Sequence, residues 1–197
     1  MVSSKISKGD KRMKKVLVVL ASVVALAVPT FAMDASFKMG DGTQSRLMFG
    51  VAKDVSVGVG LSYMELHGKV GVSGSEASIS GSALMPSIGV EYSMPATKNV
   101  SIIIGGEYQH VFPSFKMDFM NNPMVNMVND AVDEVLKNTT INQINIYTGL
   151  NVKLSPVLSV NGTTGIRLLN GTYSKDGIDL NLGMNSVYTQ LGILVSL

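Results

Sequence analysis

Four charged residues, Arg46, Glu91, Glu107 and Arg167, stand inside runs where apolar side chains alternate with small polar ones. Two guanidiniums and two carboxylates on one enclosed face can pair as ions. Left alone there, each would carry a large desolvation cost. Counting from the nearest turns puts Arg46, Glu107 and Arg167 near the middle of their segments. Other chemistry has little material. The only histidines are His67 and His110, both near segment ends. His110 has Ser114 within reach, but Glu107 falls on the opposite face, so no nucleophile–base–orienter set assembles. The chain has no Cys, which excludes disulfides, thiolate zinc sites and cysteine nucleophiles. Asp176 and Asp179 read as a solvated loop rather than a calcium site. The chain is read as not an enzyme, with no metal site and no cofactor.

The elements that position these charges repeat every two residues, the signature of strands with two different faces. Val100, Ile102, Ile104, Gly106 and Tyr108 alternate with Ser101, Ile103, Gly105, Glu107 and Gln109. Ile144, Ile146, Thr148, Leu150, Val152 and Leu154 alternate with Gln143, Asn145, Tyr147, Gly149, Asn151 and Lys153. Segments around 46–51, 55–64, 84–92, 158–168 and 187–196 divide in the same way, and a short one runs from Asp34 to Met39. Turn signals at 40–43, 53–54, 96–99 and 155–156 are tight. The connections around 68–79, 113–139 and 172–183 read as long. Pro86 interrupts one strand and predicts a bulge or a later strand start. Within the second long connection, Asn122-Pro123 opens a helical spacing. Met124, Val125, Met127, Val128, Ala131, Val132, Val135 and Leu136 lie on its apolar face, and Asn126, Asn129, Asp130, Asp133 and Glu134 on the other. A helix over about 123–137 follows.

Residues 1–32 read as a cleaved secretory signal: basic 11–15, an apolar run from Val16 to Val28, then Thr30-Phe31-Ala32. Met13 opens a stretch that would serve as a signal by itself. Six of the 16 Lys and Arg and one of the 14 acidic residues lie in this leader. That leaves 10 basic and 13 acidic side chains and a net charge of −3 for 33–197, read as one domain. The basic character of the full chain belongs to the leader and gives no argument for nucleic acid.

The polar faces carry Gly, Ser, Asn and Gln rather than the Lys and Glu of a water-facing sheet. The apolar faces carry almost no charge through the strand middles. Tyr63, Tyr108 and Phe112 fall near the long connections, and Phe49 and Tyr92 near the short turns, as sparse aromatic girdles do. These features predict an all-β fold: an eight-stranded antiparallel up-and-down transmembrane β-barrel with one amphipathic helix in a long loop. An eight-stranded lumen is filled by side chains.

The last residues, Gln190, Gly192, Val195 and Leu197, are spaced like the assembly signal of bacterial outer-membrane barrels, with Leu197 where such barrels usually have Phe or Trp. The chain resembles the small eight-stranded family typified by outer-membrane proteins A, X and W. The resemblance implies a bacterial outer-membrane location with both termini periplasmic, and contacts with outer-membrane lipid and the barrel-assembly machinery. It also implies a luminal ion-pair cluster that blocks or gates passage. The expected role is structural or surface interaction, with a surface partner at the loop helix. The alternatives are a narrow channel for small or hydrophobic solutes and a soluble secreted β-barrel or sandwich binding protein.

Overall fold

The structure is a computed structural model that describes residues 33–40, 42–72, 75–119 and 124–197. The leader assigned to 1–32, and the helix start assigned to Asn122-Pro123, lie outside the described residues. Among those residues the strands are β1 (Met33–Met39), β2 (Thr43–Ala52), β3 (Val55–Val72), β4 (Ser75–Pro95), β5 (Val100–Phe119), β6 (Thr139–Lys153), β7 (Leu158–Lys175) and β8 (Ile178–Ser196). One helix, α1 (Met124–Lys137), separates β5 from β6. Each strand pairs with the next, and β8 returns antiparallel to β1, so the sheet closes into an up-and-down barrel of eight strands.

The turns at one end are tight, as their sequences predict. Lys53-Asp54 joins β2 to β3 with Asp54 in the left-handed region at φ 62°. At 96–99 the Thr97 Oγ1 accepts the N–H groups of Asn99 (3.3 Å) and Val100 (3.1 Å). The opposite end differs from expectation. Residues 68–79 and 172–183 are not long loops. The β3–β4 pairing continues to Val72↔Ser75, and the β7–β8 pairing to Lys175↔Ile178. Asp176 and Gly177, at φ 50° and 80°, close the second hairpin, the backbone sign that matches strand twist.

The polarity of the two faces explains the difference. Register is unbroken along β3–β4, β4–β5, β6–β7 and β7–β8, so a residue's parity fixes its face throughout. In the lower part the outward residues are apolar and the inward ones polar. Ile104, Ile146, Ile166 and Leu191 are exposed, while Glu107, Gln109, Asn145 and Asn161 are buried. Toward the upper end the faces exchange character. Outward positions become Glu65, Ser82, Ser114, Asn142, Asn170 and Asn185. Inward ones become Met64, Met85, Val111, Ile141, Leu169 and Met184. Met85, Ala83 and Val111 are buried together, with Met64 and Ile141 packed on them.

Pro86 produces neither a bulge nor a strand break. β4 runs through it, and the β4–β5 pairing resumes in the same register at Leu84↔Phe112 and Ser87↔Gln109. The missing N–H interrupts the ladder locally without shifting it.

Helix α1 lies along β5 above Val111↔Ile141, the last β5–β6 pair. There β5 has an unpaired edge. The Asn129 carboxamide replaces the absent strand, accepting the Met117 N–H (2.9 Å) and donating to the Met117 carbonyl (2.8 Å). Val125, Asn129, Val132 and Leu136 are the half-buried positions, at the spacing of one helix face. Met127, Val128, Ala131 and Val135, from the same expected apolar face, occupy the adjoining arc and remain exposed, and the Met124 side chain lies outside the described ones. Lys175 at the β7–β8 tip reaches Glu134 at 2.5 Å.

Replacing Asn129 with Ala removes both bonds to Met117, a loss of about 1–3 kcal/mol to this edge. Faster amide exchange at Met117, with Ile103 unaffected, is the expected observation; unchanged protection at Met117 would contradict it. The Glu134 carboxyl is held below its usual range by the Lys175 hydrogen bond, and Lys175 is raised by Glu134. The tether is therefore lost as pH falls through the lowered Glu134 value or rises through the raised Lys175 value. Because the chain has no Cys, a nitroxide on Asn126→Cys reports α1 alone. Its mobility should rise in acid, and Lys175→Ala should abolish that dependence; identical pH profiles in both proteins would exclude the tether.

Candidate functional site: the luminal polar layer

The inner face of the lower barrel is filled by side chains from nearly every strand. Arg46 on β2, 3% exposed, points across the lumen. Its Nη1 donates to the Tyr147 hydroxyl at 2.8 Å, and that hydroxyl donates to Glu91 Oε2 at 3.1 Å. Arg46 Nε lies 3.9 Å from Glu107 Oε1, which also accepts Gln44 Nε2 at 2.7 Å. Three of the four expected luminal charges therefore meet around one tyrosine.

Small residues make this possible. A Cβ at Gly60 would sit 2.6 Å from Arg46 Cγ, and one at Gly105 would enter the Tyr147 ring. Both glycines face inward, so alternation of Gly with large polar residues across the lumen is complementary packing.

Arg167 sits on β7 opposite Asn145, which in turn pairs with Glu107. Its guanidinium lies over the Tyr188 ring at 5.1 Å. It lines a cavity of about 30 Å³ together with Gln109, Gln143, Asn145 and Gln190. Gln143 Nε2 donates to Gln109 Oε1 (2.7 Å) and to Asn145 Oδ1 (3.0 Å), and Gln109 Nε2 to Ser62 Oγ (3.3 Å). This carboxamide tier separates the ion cluster from the apolar upper part.

Lys38 completes the layer, and the sequence pattern alone does not single it out. It is 2% exposed, with Nζ 5.0 Å from the Tyr147 ring centroid, within the range of a cation–π contact. The signal was present: Asp34, Ser36 and Lys38 alternate with Ala35, Phe37 and Met39. A seven-residue strand offers too few repeats to assign its faces alone.

The histidines take no part in the layer. His110 Nδ1 is 2.8 Å from Asn142 Oδ1, which also accepts the Tyr108 hydroxyl at 2.6 Å. The His110 ring meets Phe112 edge-on at 4.6 Å. His67 Nε2 is 3.0 Å from Glu65 Oε1. Among the described residues, no group of three or more His, Asp or Glu side chains could hold a metal ion. The C-terminal pattern lies on β8. Gln190 faces the cavity, and Gly192 sits where a Cβ would be 2.6 Å from the Phe37 carbonyl oxygen. Leu197 N–H closes the barrel seam on the Met33 carbonyl at 2.9 Å.

No protein-family model matches the chain, and no curated protein matches it. Among solved structures it is similar to a major outer membrane protein from Thermus thermophilus (15% identity, TM-score 0.47, covering 85% of this chain and 98% of that one). It is also similar to Neisserial surface protein A (10%, 0.44, 85% and 94%). A third is the N-terminal β-barrel domain of Pseudomonas aeruginosa OprF (9%, 0.41, 85% and 96%).

Glu107→Ala leaves Arg46 buried without its carboxylate and should destabilise the barrel by about 3–5 kcal/mol. Gly105→Val overfills the site of the Tyr147 ring and should cost about 1–3 kcal/mol. Urea titration of the folded barrel reads both; a Glu107→Ala midpoint equal to wild type would show that the layer does not hold the barrel together.

Proposed function

We propose that this chain is an integral bacterial outer-membrane β-barrel with a structural or surface-interaction role, non-enzymatic, with both termini periplasmic. The outward apolar belt carries the reading. The outward positions of β4 from Leu84 to Met94, β6 from Ile144 to Leu154, β7 from Leu158 to Leu168 and β8 from Val187 to Leu197 contain no charged residue. Ten residues at ~3.3 Å each, tilted by ~35–45°, span ~25 Å, the height of a barrel's lipid-facing band. Polar outward residues begin above it at Glu65, Asn142, Asn170 and Asn185. Lys53, Lys98 and Ser155 lie at the turns below it. No described helix is long and apolar enough to cross a membrane. In this reading the strands are the spanning elements.

The luminal layer supports a plugged barrel rather than an open pore, because charges, tyrosines and carboxamides occupy the width that eight strands enclose. In this reading outer-membrane lipid surrounds the belt, and the assembly machinery reads the Gln190–Leu197 pattern. A surface partner meets the exposed arc of α1.

Membrane fractionation with a heat-modifiability gel tests the proposal. The protein should sediment with outer membranes, resist carbonate extraction and migrate faster unheated than boiled; recovery in a detergent-free soluble fraction would overturn it. Ile146→Arg, inside the belt, should cost about 2–4 kcal/mol of folding stability in lipid vesicles, and Asn170→Arg, above it, about 0–1 kcal/mol. Equal effects would remove the belt. The intact barrel in a planar bilayer should show no conductance steps, and regular steps would favour the narrow channel.

A further inference from the structure

The barrel wall is incomplete above the polar layer. β1 and β2 are short: the β1–β8 pairing ends at Met39↔Leu191 and the β2–β3 pairing at Thr43↔Tyr63. Beyond that level β3 runs on to Val72 and β8 starts at Ile178, each with a neighbouring strand on one side only. The wall therefore has a gap two strands wide, ~14 Å between β3 and β8 at a strand spacing of ~4.8 Å. A Cβ at Gly42 would sit 2.8 Å from the Tyr63 carbonyl oxygen, and one at Gly40 would meet the Thr189 carbonyl oxygen. Those carbonyls face the β1–β2 side. Backbone groups alternate sides along a strand, so the N–H and C=O of Glu65, His67 and Lys69 point into the gap from β3. Those of Asp179, Asn181, Gly183 and Asn185 point into it from β8, and all these residues are exposed.

Two further features narrow what can close this gap. From Ile178 to Gln190 the β8 edge carries no Lys, Arg or Pro, and its pairing with β7 has no bulge. Those are the devices that normally block strand addition. The inner faces beside the gap are apolar and open: Leu66, Leu180 and Leu182 are 67%, 60% and 70% exposed. A small apolar molecule would cover the leucines and leave the backbone edges unpaired, whereas an added strand serves both. We propose that the gap receives a β-hairpin from a partner polypeptide, which pairs with β3 and β8 and completes the wall above β1 and β2.

Pairing antiparallel to both edges fixes how the hairpin enters. The strand beside β3 runs down and the strand beside β8 runs up, so the hairpin inserts turn-first and its turn rests on the β1–β2 turn. Its residues alternate, as in other strand-addition sites. Apolar side chains face inward to Leu66, Leu180 and Leu182, and polar ones face outward. The outward neighbours set its charges: Glu65 and Asp179 favour Lys or Arg beside them, and Lys69 favours Asp or Glu. A second copy in the same membrane stands upright beside the first and cannot enter from above, which leaves a separate polypeptide as the occupant.

The proposal rests on the membrane reading above, which puts the gap outside the cell, and the two are tested separately. The probe is a synthetic Val/Thr hairpin of about 16 residues with a central Asn-Gly turn and outward Lys residues. Added to the full chain in phosphatidylcholine nanodiscs, it should slow amide exchange at Glu65, His67, Asn181 and Gly183. Leu66 and Leu182, whose amides face β4 and β7, should not change. No new protection at the gap-facing amides overturns the proposal. N-methylation of the hairpin's edge-facing amides keeps its apolar side chains and should weaken binding roughly tenfold or more. Undiminished binding would mean that the mouth takes apolar ligands without strand pairing, and the proposal fails. Gly183→Pro removes a gap-facing N–H at a position where an added Cβ has nothing within 4 Å. With its fold checked by gel mobility, it should bind roughly fivefold more weakly or worse, and Gly183→Ala should bind as wild type; equal binding by both counts against strand pairing. Protection of the same amides without the hairpin, growing with a dimer in sedimentation, would assign the gap to a second copy and overturn the partner. On intact cells the fluorescent hairpin should label the surface. Labelling only after the outer membrane is permeabilised would sink the stated orientation and leave the strand pairing standing.

Discussion

Closing eight strands on themselves leaves a lumen little wider than the side chains that line it. Every charge placed on the inner face must find its partner there, because bulk water does not reach a filled lumen. Arg46 meets this demand through Tyr147 and Glu107, and Glu91 through Tyr147. The inward glycines on β3 and β5 exist in this architecture as space for those long side chains. The Arg46–Tyr147–Glu91 chain joins β2, β6 and β4 across the barrel. It therefore acts as a cross-brace.

The same pleat is used twice with opposite polarity. Because register does not slip along most of the wall, one continuous sheet can be apolar outside and polar inside at one level, then polar outside and apolar inside at the next. The reversal coincides with the carboxamide tier of Gln109, Gln143 and Asn145. This tier is neutral and polar, and it can face the ion cluster on one side and methionines on the other. The lower barrel is paired on both sides of every strand. The upper hairpins are not, which makes them the region of lower local stability. Asn129 and the Glu134–Lys175 contact compensate at one of the open edges.

Period-two alternation, the tight turns at 53–54 and 96–99, the helix and the four isolated charges are all local patterns, and the sequence by itself determined them. It also determined which side of each strand a residue occupies, since parity alone sets that. Phase is different. Segments 68–79 and 172–183 alternate as strands do, but with their faces exchanged. Without knowing the register on neighbouring strands, this reads as a loss of pattern. Pro86 likewise suggests a break until the continuous pairing around it is seen.

Only the tertiary structure decided which charges meet. Arg46 and Glu107 are brought together by barrel closure, and no local spacing encodes that distance. Closure also buries Lys38, whose seven-residue strand is too short to assign its faces alone. It places Arg167 over the Tyr188 ring, in one register row with Asn145 and Glu107. The arc of α1 that packs was decided by where β6 stops, because the edge of β5 needs hydrogen-bond partners and Asn129 can supply them. An amphipathic spacing specifies a face of the helix; the unpaired edge beside it specifies which part of that face is covered.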